Sequence, residues 1–339
     1  MKTQIKRSAL IILIIAFSSL NFSCSSDDDD DDDIGNWTKR SSFNGEPRSN
    51  AAAFSIGSTG YMGTGYDGDD YLNDFWQYHM DVDAWQQIAD YPGIARSSAV
   101  SFVINNTGYI GTGYNGDIND ELSDFYKYDI NSNTWTPVAD YGGGSRRGAV
   151  GFNSDSHGFV GTGYDGNGDK KDFWKYDPLT DSWTELLGFG GDKRRQATTF
   201  KIDNKVYLVT GVNNGVYVKD FWEFDLTTEV WTSFKNLDHD DYDDDYLDIM
   251  RSSAVGFNMN GRGYIACGEL YGAKKTVWEY MPENNSWDQK FSFERNARQD
   301  AISFEDGQRA FVSLGRNGTL YLDDTMEFFP FEWEDEDDN

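Results

Sequence analysis

Residues Arg146–Trp183 read RRGAVGFNSDSHGFVGTGYDGNGDKKDFWKYDPLTDSW, and copies of this unit build nearly everything after residue 36. Aligned on Arg-x-x-Ala-x-x-Phe, six copies occur: Arg48/Ala51/Phe54, Arg96/Ala99/Phe102, Arg146/Ala149/Phe152, Arg194/Ala197/Phe200, Arg251/Ala254/Phe257 and Arg298/Ala301/Phe304. Successive arginines stand 48, 50, 48, 57 and 47 residues apart, a period shared by propeller blades and some helical repeats. Content excludes helices: the units are rich in Gly, Tyr, Phe, Trp, Thr and Val and are broken every few residues by turn dipeptides. The unit divides into strands at Ala149–Phe152, Gly158–Tyr164 and Asp172–Asp177, then a turn Pro178–Asp181 and a fourth strand at Trp183. Small residues suit inner strands that crowd at an axis. The aromatics of the third and fourth strands, part of a 16% aromatic content, fill the wider space between blades. A four-stranded sheet cannot bury both faces alone, so the units must stack radially into an all-β, six-bladed propeller.

These landmarks resemble the kelch repeat, which has an arginine before the first strand, a glycine doublet ending the second, Tyr-Asp ending the third and a Trp soon after. Here the doublet is spread into Gly-Thr-Gly at 63–65, 111–113 and 161–163. Tyr-Asp occurs at Tyr128-Asp129 and Tyr176-Asp177 and becomes Phe224-Asp225 in the fourth copy, and the tryptophans are Trp85, Trp135, Trp183, Trp231 and Trp287. The resemblance covers residues 37–330. It implies a kelch-type propeller whose six regular arginines are structural ties between blades.

The propeller begins in mid-blade. Trp37 lies eleven residues before Arg48, the interval that also separates Trp85 from Arg96 and Trp135 from Arg146. Residues 36–41 therefore read as a fourth strand without the other three. The last unit offers Phe311–Leu314 and Thr325–Phe328 as second and third strands but no Trp at the usual place. The N-terminal strand is expected to complete the sixth blade and close the ring, which removes open sheet edges; Trp333 is the rival for that slot. Between Trp231 and Arg251 the interval grows to twenty and admits an acidic loop at 237–248. The propeller is thus expected over 36–330, with an acidic tail at 331–339.

Residues 1–23 read as a targeting segment: Lys2, Lys6 and Arg7 precede an apolar core, Ala9–Phe17, too short to span a bilayer. Cys24, Ser25-Ser26 and seven aspartates, 27–33, follow. This resembles a bacterial lipoprotein signal, in which Cys24 becomes the lipidated N-terminus and residues 24–35 an acidic linker; Leu20 stands one place further from the cysteine than the usual box. The Ser-plus-Asp run resembles the tag that sends lipoproteins to the outer surface of certain Gram-negative cells. Its plainer reading is a linker extended by self-repulsion. The resemblance implies an outer-membrane protein at the cell surface, or else a periplasmic or secreted one, touching the membrane only through its anchor.

Charge is concentrated. The net charge is −29, from 58 acids and 29 bases, and 20 of the acids fall in 27–33, 238–248 and 332–338. Such a chain avoids nucleic acid and anionic membrane surfaces, and a monomer is expected. With Cys24 lipidated, Cys267 is alone and no intrachain disulfide forms; it takes the Thr place of the fifth copy and reads as a buried strand thiol.

Loops between second and third strands share a face with the blade-to-blade loops. That face collects Tyr66, Tyr114 and Tyr164, the residues Asp67, Asn115 and Asp165 beside them, and the acids Asp69, Asp70, Asp117 and Asp169. Aromatic rings beside carboxylates and amides suit sugars, although repeated aspartates also shape turns. Arg147 and Arg195 are additional to the repeat, and Glu269 is an acid directly after a second-strand glycine; these three are the candidates for a specific contact. Asp165-x-Asn167-x-Asp169 begins like a calcium loop, but Lys170 replaces the turn glycine and no bidentate Glu follows, so calcium is a candidate cofactor without a ligand geometry.

Some kelch propellers are copper radical oxidases of the galactose-oxidase type. That chemistry needs histidine ligands with a tyrosine and a cysteine, whereas His79, His157 and His239 fall in unrelated places of the repeat; this activity is excluded. The expected function is a non-catalytic binding module for a glycan or an envelope or host protein. The alternative is a carbohydrate-active enzyme of the sialic-acid mutarotase type, suggested by blade number and export, with no catalytic residue matched. Fold alone assigns neither.

Overall fold

In a computed structural model of the chain, residues 34–239 and 244–335 are described. The targeting segment, Cys24, the aspartate run, the middle of the acidic insertion and the last four residues lie outside them. The described residues form six four-stranded antiparallel sheets. Their innermost strands, here strand a, are Ala52–Ile56, Val100–Ile104, Val150–Asn153, Thr198–Ile202, Val255–Met259 and Ile302–Glu305; strands b, c and d follow outward, and the blades are numbered in that order. Blade 3, for example, continues with Gly158–Gly161, Phe173–Asp177 and Ser182–Leu186. In blade 6 the fourth strand is Asn36–Arg40, antiparallel to Thr325–Phe329 with Trp37 opposite Phe328. Trp37 is fully buried, stacked on Phe328 at 4.5 Å, while Trp333 is 62% exposed. No helix among the described residues is long and apolar enough to cross a membrane.

Strand b is shorter than the sequence suggests. In blade 3 it stops at Gly161, because Thr162 has φ 61° and Gly163 φ 85°, a left-handed pair that turns the chain out of the sheet. Cys267 stands likewise one residue past strand b of blade 5, fully buried, with burial pushing its thiol up to about 12. Every blade repeats this turn, and the second residue is always glycine: a Cβ on Gly113 would sit 2.8 Å from the Ser97 carbonyl. The tightness has a purpose. That glycine's N–H donates to the carbonyl of the next blade's arginine at 2.6–2.9 Å, from Gly65 to Arg96 and onward around to Gly315 and Arg48.

The arginine side chains turn back into their own blades. All six are buried, at 0–1% exposure. Each donates from Nη1 to the carbonyl of the residue before that glycine, at 2.7–3.2 Å. In blades 1, 2, 3, 4 and 6 the guanidinium also pairs with an aspartate just before strand c: Asp74, Asp124, Asp172, Asp220 and Asp324. Burial alone would raise the Asp172 carboxyl, but bonds from Arg146 and Trp174 outweigh it and hold the pKa below the usual value. Phe43, Tyr91, Tyr141, Phe189 and Phe293 close the guanidiniums in, 4.4–5.8 Å from the charge.

Blade 5 has Thr276 where the aspartate should stand. The missing carboxylate arrives from the acidic insertion, whose 3₁₀ turn Asp244–Ile249 places Asp248 against Arg251 at 2.9 Å. Asp248 also pairs with Lys274 at 2.9 Å and accepts the Thr276 hydroxyl at 2.6 Å. The insertion thus repairs a broken repeat. Removing one partner of a buried pair strands the other charge, so Asp248→Ala and Asp124→Ala should each cost about 2–4 kcal/mol. Asp120→Ala, at an exposed position of the short hairpin between strands b and c, should stay within about 0.5 kcal/mol. Urea denaturation reads both.

The axis is a lined channel. At one end Asn50, Ser98, Gly148, Gln196, Ser253 and Asp300 all have φ of 53–59°. Each N–H donates to the carbonyl of its counterpart in the preceding blade at 2.8–3.0 Å, closing a ring of hydrogen bonds around the axis. Below lies a collar of six alanines, the Ala of the sequence pattern. The far end opens into a cavity of about 390 Å³ lined by Ser101, Thr199, Lys201, Ser303 and Glu305 among others. Glu305 is half-buried and lines this cavity. Burial pushes its carboxyl up to about 7, against the lowering effect of the Asn258 N–H and Lys201. As pH rises the unfolded chain loses this proton near the usual value of 4.5 and the folded protein only near 7, so stability falls across that interval and stays low above it. Glu305→Gln should therefore exceed the native protein by about 2 kcal/mol at pH 8 and match it near pH 4, as read by thermal denaturation at the two pH values.

Candidate functional site

The turn after strand b delivers one residue per blade to the face shared by the b–c and blade-to-blade loops. There it meets the residue after each buried arginine in a short antiparallel bridge: Ser49 with Tyr66, Ser97 with Tyr114, Arg147 with Tyr164, Arg195 with Val212, Ser252 with Glu269 and Gln299 with Arg316. The bridges hold these side chains around the channel mouth on rigid backbone.

Over blades 6 to 4 they form a continuous crown. Tyr321 lies 6.3 Å from Tyr66, Tyr66 lies 4.8 Å from Tyr71, and Tyr71 lies 6.1 Å from Tyr114. Arg147 is held between Tyr114 and Tyr164, at 4.5 and 4.8 Å from the ring centres, and Arg195 lies 5.5 Å from Tyr164. Both arginines keep about a third of their side-chain surface open, at 33% and 29%. Arg147 approaches Glu121 at 3.5 Å, and Arg195 pairs at 2.8 Å with Asp169, whose side chain is fully buried. The Asp169 carboxylate also accepts the Asn214 N–H at 2.7 Å, which fixes it and hence the guanidinium. Such a surface offers ring faces for stacking with C–H groups and free guanidinium N–H groups for oxygen acceptors.

The acids beside the tyrosines are occupied locally. Asp67 accepts the N–H groups of Asp69 and Asp70 at 2.9 and 2.7 Å. Asn115 is 5% exposed, accepts from Asp117 and Ile118 and donates to the Ala95 carbonyl. Asp165 accepts from Asn167 and Gly168 and pairs with Lys170 at 2.5 Å. Burial opposes ionisation of Asp165, yet these bonds hold its pKa below the usual range. Of the oxygens offered for calcium, Asp165 thus caps a turn and Asp169 is taken by Arg195 and Asn214, and among the described residues no group of three acids, histidines or cysteines is placed to hold a metal.

Glu269 sits elsewhere on the rim. It accepts the Tyr217 hydroxyl at 2.6 Å and the Gly272 N–H at 3.2 Å, and Tyr217 packs against Tyr271 at 5.5 Å. Arg195 and Glu269 therefore serve different partners. Tyr71, Tyr217, Tyr271 and Tyr321 complete the face, and sequence reading passed over them because they lie in b–c loops outside the repeat's landmarks. Arg316 was readable: it takes the tyrosine position of the sixth copy, and it pairs with Asp300 of the channel ring at 3.0 Å.

A radial ring of four-stranded blades with an aromatic and guanidinium mouth defines the class, a six-bladed β-propeller. Residues 95–140 and 193–237 match the Kelch motif, within a repeat that builds all six blades. Among solved structures it is similar to YjhT, with a TM-score of 0.71 at 16% identity over 84% of this chain and 95% of that one. No curated protein matches it.

Proposed function

We propose that this protein is a non-catalytic binding module of the cell envelope that holds a glycan on the tyrosine and arginine crown. The observation that carries this reading is the unbroken run Tyr321, Tyr66, Tyr71, Tyr114, Arg147, Tyr164 and Arg195 around one mouth. A sugar ring stacks its C–H face on an aromatic face, while its oxygens take N–H groups from the neighbouring guanidiniums. Because the tyrosines are braced by arginines and loop carbonyls, with Tyr66 and Tyr164 hydroxyls bonded to Gly68 and Gly166, little side-chain freedom is lost on binding.

A glycan array followed by calorimetry on the best binder tests this. Tyr164→Ala and Arg147→Ala should each weaken binding about tenfold, or about 1.4 kcal/mol, whereas Asp67→Asn should leave it unchanged. Failure of every glycan would overturn the sugar assignment and leave a protein partner for the same face.

The envelope placement rests on lipidation of Cys24, which the targeting segment and the following Ser-Asp run support. Cells fed labelled palmitate should mark the native protein and not Cys24→Ala, and protease added to intact cells should remove the native protein if it stands on the outer surface.

A further inference from the structure

The channel end away from the crown breaks the repeat where the repeat has no need to be broken. Near the ends of their strands a, the blades present Ser55, Val103, Asn153, Lys201, Asn258 and Glu305. Lys201 of blade 4 and Glu305 of blade 6 thus flank blade 5 and face one cavity of about 390 Å³, within the range of small-molecule sites. They do not pair with each other. The Lys201 ammonium reaches only the Asn153 carbonyl, at 3.4 Å. One Glu305 oxygen, Oε2, accepts the Asn258 N–H, and Oε1 has no hydrogen-bond partner among the described residues. Asn258 lies between their strands, its N–H donating to Glu305 and its side-chain amide to the Lys201 backbone carbonyl.

Two opposite charges held separately in one enclosure leave a gap of defined chemistry. An anion there would meet Glu305, a cation would meet Lys201, and a neutral polyol would leave both charges uncompensated. A molecule bearing both signs answers both. We propose that this chamber binds a small zwitterion, a free α-amino acid, with its ammonium on Glu305 and its carboxylate on Lys201. The hydroxyls of Ser101, Thr199 and Ser303 line the same space. The other charge acting on Glu305 is Asp306, on the adjoining turn, which together with burial favours the protonated carboxyl. A ligand ammonium reverses that preference, so binding strengthens as pH rises through the Glu305 midpoint and displaces a proton from the carboxyl below it. The site is separate from the crown and does not depend on the glycan reading.

Calorimetric titration of the purified protein with the common amino acids at pH 8, beginning with L-alanine, tests it; ethylamine and propionate serve as half-ligands. The expected result is saturable heat with an amino acid and none with either half-ligand. Lys201→Met and Glu305→Gln should each weaken binding at least about tenfold, and Tyr114→Ala should bind as the native protein does. Carbon-13 detection of the Glu305 carboxyl in the native protein supplies a reading that needs no variant: its titration midpoint should fall when the amino acid is added. Absence of heat with every amino acid, or a midpoint that does not move at saturation, overturns the proposal.

Discussion

Everything in this molecule leans on six arginines that have been taken out of water. Each guanidinium reaches back into its own blade, to a carbonyl just past strand b and, in five of the six blades, to an aspartate before strand c, while its backbone carbonyl accepts an N–H from the preceding blade. One residue therefore joins the inside of a blade to the seam between blades. A buried charge is tolerable only when its donors are met, and meeting them forces the glycine turn, the aspartate and the aromatic lid into fixed places.

That constraint explains why the chain can vary where it does. Blade 5 dispenses with its aspartate, and a carboxylate from a different stretch of chain fills the same role. The acidic insertion, whose composition alone reads as a solvated loop, is anchored at its end by the charge it neutralises. The loops between strands b and c, and the positions directly after the buried arginines, carry no such duty, so the crown tyrosines, Arg147 and Arg195 are free to differ from blade to blade. Rigid seams with variable loops are what a recognition surface needs.

Much of the architecture could be read from residues alone, because period, turn chemistry and the arginine, glycine and tryptophan landmarks all report local geometry. Strand b was overextended in that reading, since the left-handed φ at Thr162 is imposed by the seam and Thr itself does not announce it. The crown was half legible. Tyr66, Tyr114 and Tyr164 follow a landmark and so declare their face, whereas Tyr71 and Tyr321 reach the same mouth only because neighbouring blades bring their loops together.

The sequence by itself determined the number of blades, their radial stacking and the face on which the tyrosines gather, since these follow from a repeat that cannot bury its surfaces alone. Tertiary structure decided what the polar side chains do. Asp67, Asn115 and Asp165 spend their oxygens on their own turns, Arg147 is held between two tyrosines from neighbouring blades, and Lys201 and Glu305, over a hundred positions apart in the chain, face one cavity. The physical reason is that a repeat encodes contacts within and between equivalent units, whereas a site is made by the non-equivalent residues those units bring around a common axis.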